Sequence, residues 1–509
     1  MEIMQALLYI GFLFSFSLIF YKFIFPSSRV QHKNLPPSPP RIPILGHFHL
    51  LKKPFHHALH NLSLKYGPVF SLRFGCCPVL VISTPSAVEE CFTKNDIIFA
   101  NRPLFPSTRQ PEKEVVSFSI VPYGPQWRGL RRFATIEIFS SARVQMTSEI
   151  RTDEVRCLAK KLFAGGNGKV EVNPLFYMLN FNIMMKMVSG KRHFEGDELE
   201  SEKGRVEFKD IRQMFSPPSG LAVGNFFPLL KPVSYLFGGL KTERLQRKRG
   251  AFMQNLIDAQ RRKKRSCPVT DEGDEKRKNI IDVMLKLQES EPEFYTDAVM
   301  KGIILVMLVG GTEASTTTLE AAVSFLISNP NEFSKARDEI DSNVGQSRLV
   351  DDGDLSKLTY LHCIINEALR LGPTVPLNVL HKASEECVVG GFTVPSGTIL
   401  LVNNWAVHND PTLWADPTSF KPERFNDAEG EKLGYKFVPF GSGRRACPGV
   451  SLAMRVMALA LGTLIQCFDW EKGEENFEGG GNGRKMENGR SMPIAIRPRK
   501  ALIDALFEL

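Results

Sequence analysis

The chain has 509 residues, 43% of them hydrophobic and 23% charged, a balance that supports a sizeable core and excludes bulk disorder. Its 9 cysteines are odd in number and irregularly spaced, and Cys76–Cys77 lacks the C-x-x-C interval of a zinc site, so neither a disulfide framework nor structural zinc is indicated. The net charge of +9 fits an anionic membrane surface or an acidic partner, and without a nucleic-acid motif it does not argue for nucleic acid.

Residues Ile3 to Tyr21 carry no charged side chain. With Phe23 to Phe25 the run is long enough to cross a hydrocarbon core of about 30 Å. Glu2 precedes it while Lys22, Arg29, Lys33 and Arg41 follow. The positive-inside rule then predicts a single-pass anchor over residues 1–25, with the bulk of the chain in the cytosol. A cleaved signal peptide fits less well, because a basic n-region and a small-residue cleavage site are missing. Pro36, Pro37, Pro39, Pro40 and Pro43 predict a stiff, extended spacer over 26–46. Residues 47–509 form the remaining unit.

A helical pattern at HHALHNLSLKYG leads into two β-rich runs, VFSLRF and PVLVIS, which read as a hairpin, then a helix near Pro85–Thr93. Asn101 to Gly124 is a long Pro- and Ser-rich loop, a kind usually functional in a compact domain. Trp127 and Arg131 are four residues apart and so share one face of the next helix. Ser148 to Asn279 reads as mostly helical, with Arg261–Arg265 and the acidic run after it as a solvated loop. Lys301 to Leu326 reads as one long buried helix in which Gly310 and Gly311 each cost about 1 kcal/mol relative to alanine. That cost argues for a backbone opened to a ligand or water. Glu313 is a candidate proton relay in this apolar run. A helix over Leu358–Leu371 carries Glu367 and Arg370, and Pro422-Glu-Arg-Phe425 follows. FTVPSGTILLV gives two strands around Pro395-Ser-Gly397.

Near the C-terminus runs FVPFGSGRRACPGV, followed by an apolar helix from Val450 to about Leu461. A cysteine just before a helix feels the positive end of its macrodipole, which favours the metal-binding thiolate. Arg445 offers a planar fork to a carboxylate. A lone thiolate beside such an arginine suits a haem.

Phe440, Gly443, Arg445, Cys447 and Gly449 complete F-x-x-G-x-R-x-C-x-G and resemble the cysteine-ligand loop of the cytochrome P450 family. Trp127/Arg131, the Gly310-Gly311-Thr312-Glu313 run, Glu367/Arg370 and Arg424 in P-E-R-F resemble further family motifs in the same order. The chain looks closest to plant microsomal members, the branch with isoflavone and flavonoid hydroxylases and lignan methylenedioxy-bridge-forming enzymes. The resemblance implies a mainly α fold with small β sheets behind an N-terminal transmembrane helix, in the endoplasmic reticulum membrane with its catalytic domain cytosolic. It implies haem b ligated by Cys447, with Trp127, Arg131, His381 and Arg445 on the propionates and Phe440 beside the cofactor. It implies dioxygen chemistry with electrons from NADPH through NADPH-cytochrome P450 reductase, which would dock near Arg128, Arg132, Lys436, Arg444 and Arg455. Glu367, Arg370 and Arg424 would form a buried structural network. Phe118, Val306, Gly310, Val375 and Arg490 would line the pocket for a hydrophobic small molecule. One position departs from the pattern: the family's threonine after Glu313 is Ala314. Ser315, Thr316 and Thr317 are no simple substitutes, since each residue turns the helix by about 100°. The implied reactions are hydroxylation, epoxidation or methylenedioxy-bridge closure. A reductase-independent isomerase or dehydratase and a haem-binding sensor are the alternatives.

Overall fold

The computed structural model describes residues 34–105, 115–166, 168–195, 198–217, 223–227, 240–266, 279–426, 433–472 and 493–507, together with positions 11 and 15. The expected anchor over 1–25, Arg490 and the acidic run 271–275 therefore lie outside the described residues, save for those two positions. The described strands are β1 (Val69–Phe74), β2 (Cys77–Ile82), β3 (Gly168–Glu171), β4 (His381–Lys382), β5 (Cys387–Val389), β6 (Phe392–Val394), β7 (Ile399–Val402), β8 (Phe468–Lys472) and β9 (Pro493–Pro498). The helices that frame the site are α1 (Pro125–Phe133), α2 (Val172–Ser189), α3 (Glu202–Phe215), α4 (Asp297–Gly310), α5 (Glu313–Ser328), α6 (Thr359–Leu371), α7 (Asn404–His408) and α8 (Val450–Cys467). Helix is the dominant element, as expected.

The hairpin of β1 and β2 forms, and its sheet continues in the order β1-β2-β7-β4. β7 pairs with β2 in parallel, with Leu80 opposite Leu400, and all four of its residues are buried. The strands on either side of Pro395-Ser-Gly397 are both present but do not pair with each other: β6 joins β5, while β7 lies between β2 and β4. The described part of the proline-rich stretch is docked rather than free. Ser71 N–H donates to the Pro37 carbonyl at 2.8 Å, and the His47 ring donates to the Pro39 carbonyl at 2.8 Å.

Two expectations about helices change. Arg261–Arg265 is the last turn of a helix over Leu240–Ser266, not a loop, and Arg261 pairs with Asp297 at the start of α4. Arg and Lys are good helix formers, and this partner holds the run in place. The single helix over Lys301–Leu326 is two helices, α4 and α5, interrupted at Gly311-Thr312. The cause is steric as well as intrinsic: a Cβ on Gly311 would lie 2.4 Å from Met184 Sδ on α2. Glycine lets α2 press against the chain where the helix turns. Gly302 allows a second close approach, since its Cβ would fall 1.8 Å from the Val116 carbonyl, and Val116 N–H bonds the Ala298 carbonyl at 2.9 Å. The loop that carries Phe118 is thereby fastened to α4. α2 and α8 are apolar nearly all round and form the core with α5 and α6.

Candidate cofactor and substrate site

The cysteine loop is built by short backbone bonds. Cys447 N–H reaches the Phe440 carbonyl at 2.9 Å, Ala446 N–H the Gly443 carbonyl at 3.0 Å, and Gly441 N–H the Val438 carbonyl at 3.0 Å. Gly441 and Gly443 sit at φ 70° and 69°, conformations that other residues adopt at a cost. Gly443 is doubly required, because a Cβ there would lie 2.4 Å from Asp96 Oδ1, the oxygen that accepts Arg444 N–H at 3.0 Å. Phe440 is half-buried against the main core. Cys447 is accessible, yet burial still raises its thiol pKa above the ordinary value. The Gly449 N–H and the Arg131 guanidinium pull the other way. α8 begins three residues later at Val450, so its positive end lies close to the sulfur and works against the effect of burial.

The expected propionate partners converge on this loop. Arg131 donates to the Ala446 carbonyl at 2.8 Å, one residue before the cysteine. Arg445 donates to the carbonyls of Ala100 (2.6 Å), Phe118 (2.7 Å) and Val121 (2.6 Å), and its guanidinium stacks 4.7 Å from the Trp127 ring centroid. Trp127 Nε1 also donates to the Phe118 carbonyl, at 3.1 Å. His381 is buried on β4, its Nδ1 donating to the Phe99 carbonyl at 2.8 Å. Sequence reasoning missed a further member, Arg102, which donates to the carbonyls of Val379 and Leu380 and leaves its buried Nε without a partner.

Burial and mutual repulsion push Arg102 down to about 9 and Arg445 down to about 10, and lower Arg131 and His381 as well. Arginine does not give up its proton in proteins. The depression therefore measures unmet demand for anionic neighbours. Among the described residues no carboxylate pairs with Arg102, Arg131 or Arg445. A ligand with two carboxylates and a metal open to a thiolate answers both needs, and a haem is such a ligand. A 480 Å³ groove elsewhere, lined by Leu158, Leu175 and Asn182, contains none of these groups.

Behind the loop, Glu367 and Arg370 on α6 are fully buried and joined by two bonds of 2.7 and 2.8 Å. Arg424 Nε adds a third contact to Glu367 at 3.3 Å, and Lys421 N–H a fourth at 2.9 Å. Arg370 also donates to the His408 and Pro417 carbonyls. His408 and Asn404 on α7, neither singled out in the sequence, carry the network to the cysteine loop. Val438 N–H donates to His408 Nε2 at 3.3 Å, and Asn404 Nδ2 donates to the Val438 carbonyl at 3.2 Å. Burial, with Arg370 beside it, lowers His408 to about 3, so it stays neutral and can accept.

On α4 and α5, Val306, Gly310, Glu313 and Ala314 are among the part-exposed positions of a largely buried run, and the space around a Gly310 Cβ is clear. Glu313 is held by Arg212 of α3 at 2.9 Å, while its second oxygen has no partner among the described residues. Arg212 in turn bonds Asn173 at 2.7 Å and lies over the Tyr177 ring at 5.1 Å. Three nearby hydroxyls are committed, since Thr316, Thr317 and Thr318 donate to the carbonyls of Thr312, Glu313 and Ala314, while the buried Thr312 hydroxyl has no partner among the described residues. None of the three replaces the missing side chain of Ala314. Val375 is 39% exposed and Val379 52%, apolar residues that face open space on the segment between α6 and His381. The Phe118 side chain is buried. Of the expected basic patch, Arg128 and Arg132 are exposed, whereas Arg444 pairs with Asp96 and Arg455 with Asp352.

A family model described as Cytochrome P450 matches residues 36–479. The chain is 44% identical over 491 residues to cytochrome P450 81Q32 of Catharanthus roseus, covering 95% of each. It is 42% identical over 476 residues to (+)-piperitol/(+)-sesamin synthase of Sesamum radiatum, covering 91% of each. It is 41% identical over 511 residues to isoflavone 3'-hydroxylase of Medicago truncatula, covering 98% of each.

Proposed function

Because the chain belongs to the cytochrome P450 family, we propose that it is a membrane-anchored monooxygenase that oxidises a phenolic, lignan or alkaloid of plant specialised metabolism. Membership makes it an oxidoreductase that carries haem-thiolate iron and receives electrons from a reductase. The finer reading is hydroxylation, epoxidation or methylenedioxy-bridge closure, with electrons passed from NADPH by NADPH-cytochrome P450 reductase. The relatives' names support this range, since they include both a hydroxylase and a synthase.

A haem held by a thiolate would supply dioxygen activation. This chain's residues supply the rest. Cys447 would hold the iron, presented by a loop whose shape depends on Gly441 and Gly443. Arg102, Arg131, Arg445, Trp127 and His381 hold the propionates. Glu313 moves protons into the site, with Arg212 fixing one of its oxygens and leaving the other free. Val306, Gly310, Ala314 and Val375 shape the cavity over the cofactor. Residues 1–25 anchor the chain in the endoplasmic reticulum membrane, with the remainder cytosolic. The reductase docks on the cysteine side, where Arg128 and Arg132 are the open cations.

The observation that carries the reading is the set of half-buried arginines, unpaired with any described carboxylate, around an open cysteine in the complete ten-residue motif. The test is turnover by membranes containing the full chain against phenolics, lignans and alkaloids, with products identified by mass. Product should require both NADPH and reductase. Product formed without either would instead make the protein an isomerase or dehydratase, and binding without turnover would make it a sensor.

A further inference from the structure

Thr318 lies one turn after Ala314, on the same face of α5. Its hydroxyl makes two contacts, to the Ala314 carbonyl at 3.0 Å and to the Thr374 hydroxyl at 3.1 Å. A hydroxyl has a single proton. The Ala314 carbonyl can only accept, so Thr318 gives its proton there, and the bond to Thr374 exists only if Thr374 is the donor. Thr374 has then used its proton and keeps free lone pairs. Thr374 is half-buried, immediately before the open Val375, in the segment that leads from α6 to His381. The wall next to Ala314 therefore presents an oxygen that accepts hydrogen bonds and cannot donate them.

We infer that Thr374 is a specificity-determining residue that selects substrates bearing a free hydroxyl, such as a phenol, over their O-alkyl counterparts. This rests on the monooxygenase reading above and narrows its substrate class. A phenol can donate to Thr374, whereas its methyl ether offers only lone pairs to lone pairs. Thr374 is joined to the turn that begins at Ala314 through the Thr318 hydroxyl, which contacts both. The substrate's own hydroxyl then stands close to where the family's threonine is missing. The same Thr318–Thr374 bond would also serve a purely structural pairing of α5 with the following segment, and the test separates the two.

The probe is a 4'-methoxyisoflavone with its 7-hydroxyl free, compared with the 7-methyl ether of the same compound, titrated spectrally into the purified, haem-loaded full chain. The wild type should bind the phenol about five- to tenfold more tightly than the ether, the range of one neutral hydrogen bond. Thr374→Val should erase that ratio by weakening the phenol alone, and Thr374→Ser should restore it, with haem content and melting temperature recorded for each. Thr318→Ala supplies a second arm if Thr374→Val fails to fold. It frees the Thr374 proton, so the ether should gain affinity and the ratio should shrink. A wild-type preference that survives unchanged in both Thr374→Val and Thr318→Ala overturns the inference and leaves a structural pairing only. A wild type that binds neither isoflavone, nor any phenol of the wider panel, overturns both the inference and the substrate reading beneath it.

Discussion

At the scale of single residues, Cys447 and Ala314 divide the chemistry between them. Cys447 was legible because its motif is local: five residues within ten, each constrained by a turn or a bond in the same loop. The state of its thiol was not legible, since the burial that raises its pKa comes from elements far away in the chain. Ala314 was legible as a departure, and the structure sharpens it by assigning three neighbouring hydroxyls to backbone carbonyls. We therefore expect Ala314→Thr to shift products towards plain hydroxylation or dealkylation. Unchanged product ratios and unchanged coupling of NADPH to product, measured together, would sink that idea. Glu313→Gln keeps shape and removes the ionisable proton, so turnover should fall by about 10²-fold or more with little change in substrate affinity. Arg212→Ala should produce a smaller loss at the same step, read as a changed pH profile of turnover. Arg212 was invisible in the sequence because it approaches from α3, 101 positions away.

At the scale of elements, the Glu367–Arg370 pair shows how a helix and a loop are locked together. The two residues are three apart on α6, a spacing too common to carry weight alone. Their full burial, the Arg424 contact and the passage through His408 to Val438 make them the brace of the cysteine loop. Removing one partner of a buried pair strands the other charge. Arg370→Met should cost about 3–5 kcal/mol in unfolding free energy and should lower haem retention, measured by pigment content. The α4–α5 break was anticipated only as a weakness at two glycines. The close approach of Met184 of α2 to Gly311 at that break comes from a neighbour that no local pattern announces. The same reasoning covers the basic run at the end of Leu240–Ser266, where the partner Asp297 decides order against solvation.

At the scale of the whole molecule, burial of neutral histidines ties stability to pH. His408 is lowered to about 3 and His381 well below the ordinary value, in both cases first by burial and then by a nearby arginine. The unfolded chain takes up protons near pH 6.5 that the folded chain refuses, so the contribution is fully present above that pH. Stability should decline as pH falls from about 6.5 towards 3, followed by denaturant unfolding at a series of pH values. His408→Asn should flatten that decline. Length and composition were enough for a sizeable core, and the order of motifs along the chain was enough for the family and for the mainly helical fold it implies. Hydropathy was less discriminating: Asp297–Ser328 and Val450–Cys467 are both apolar and long enough to cross a bilayer, yet both are mostly buried core. What the amino-acid sequence determined by itself is whatever rests on neighbours in the chain, namely the thiol ligand's loop, the missing threonine and the proline-stiffened approach. What only the tertiary structure decided is whatever rests on charge and contact through space. Arg102 beside Arg445, His408 beneath the loop, Arg212 on Glu313 and the Thr318–Thr374 contact all belong to that second group, because electrostatics and hydrogen bonding depend on distance and not on position in the sequence.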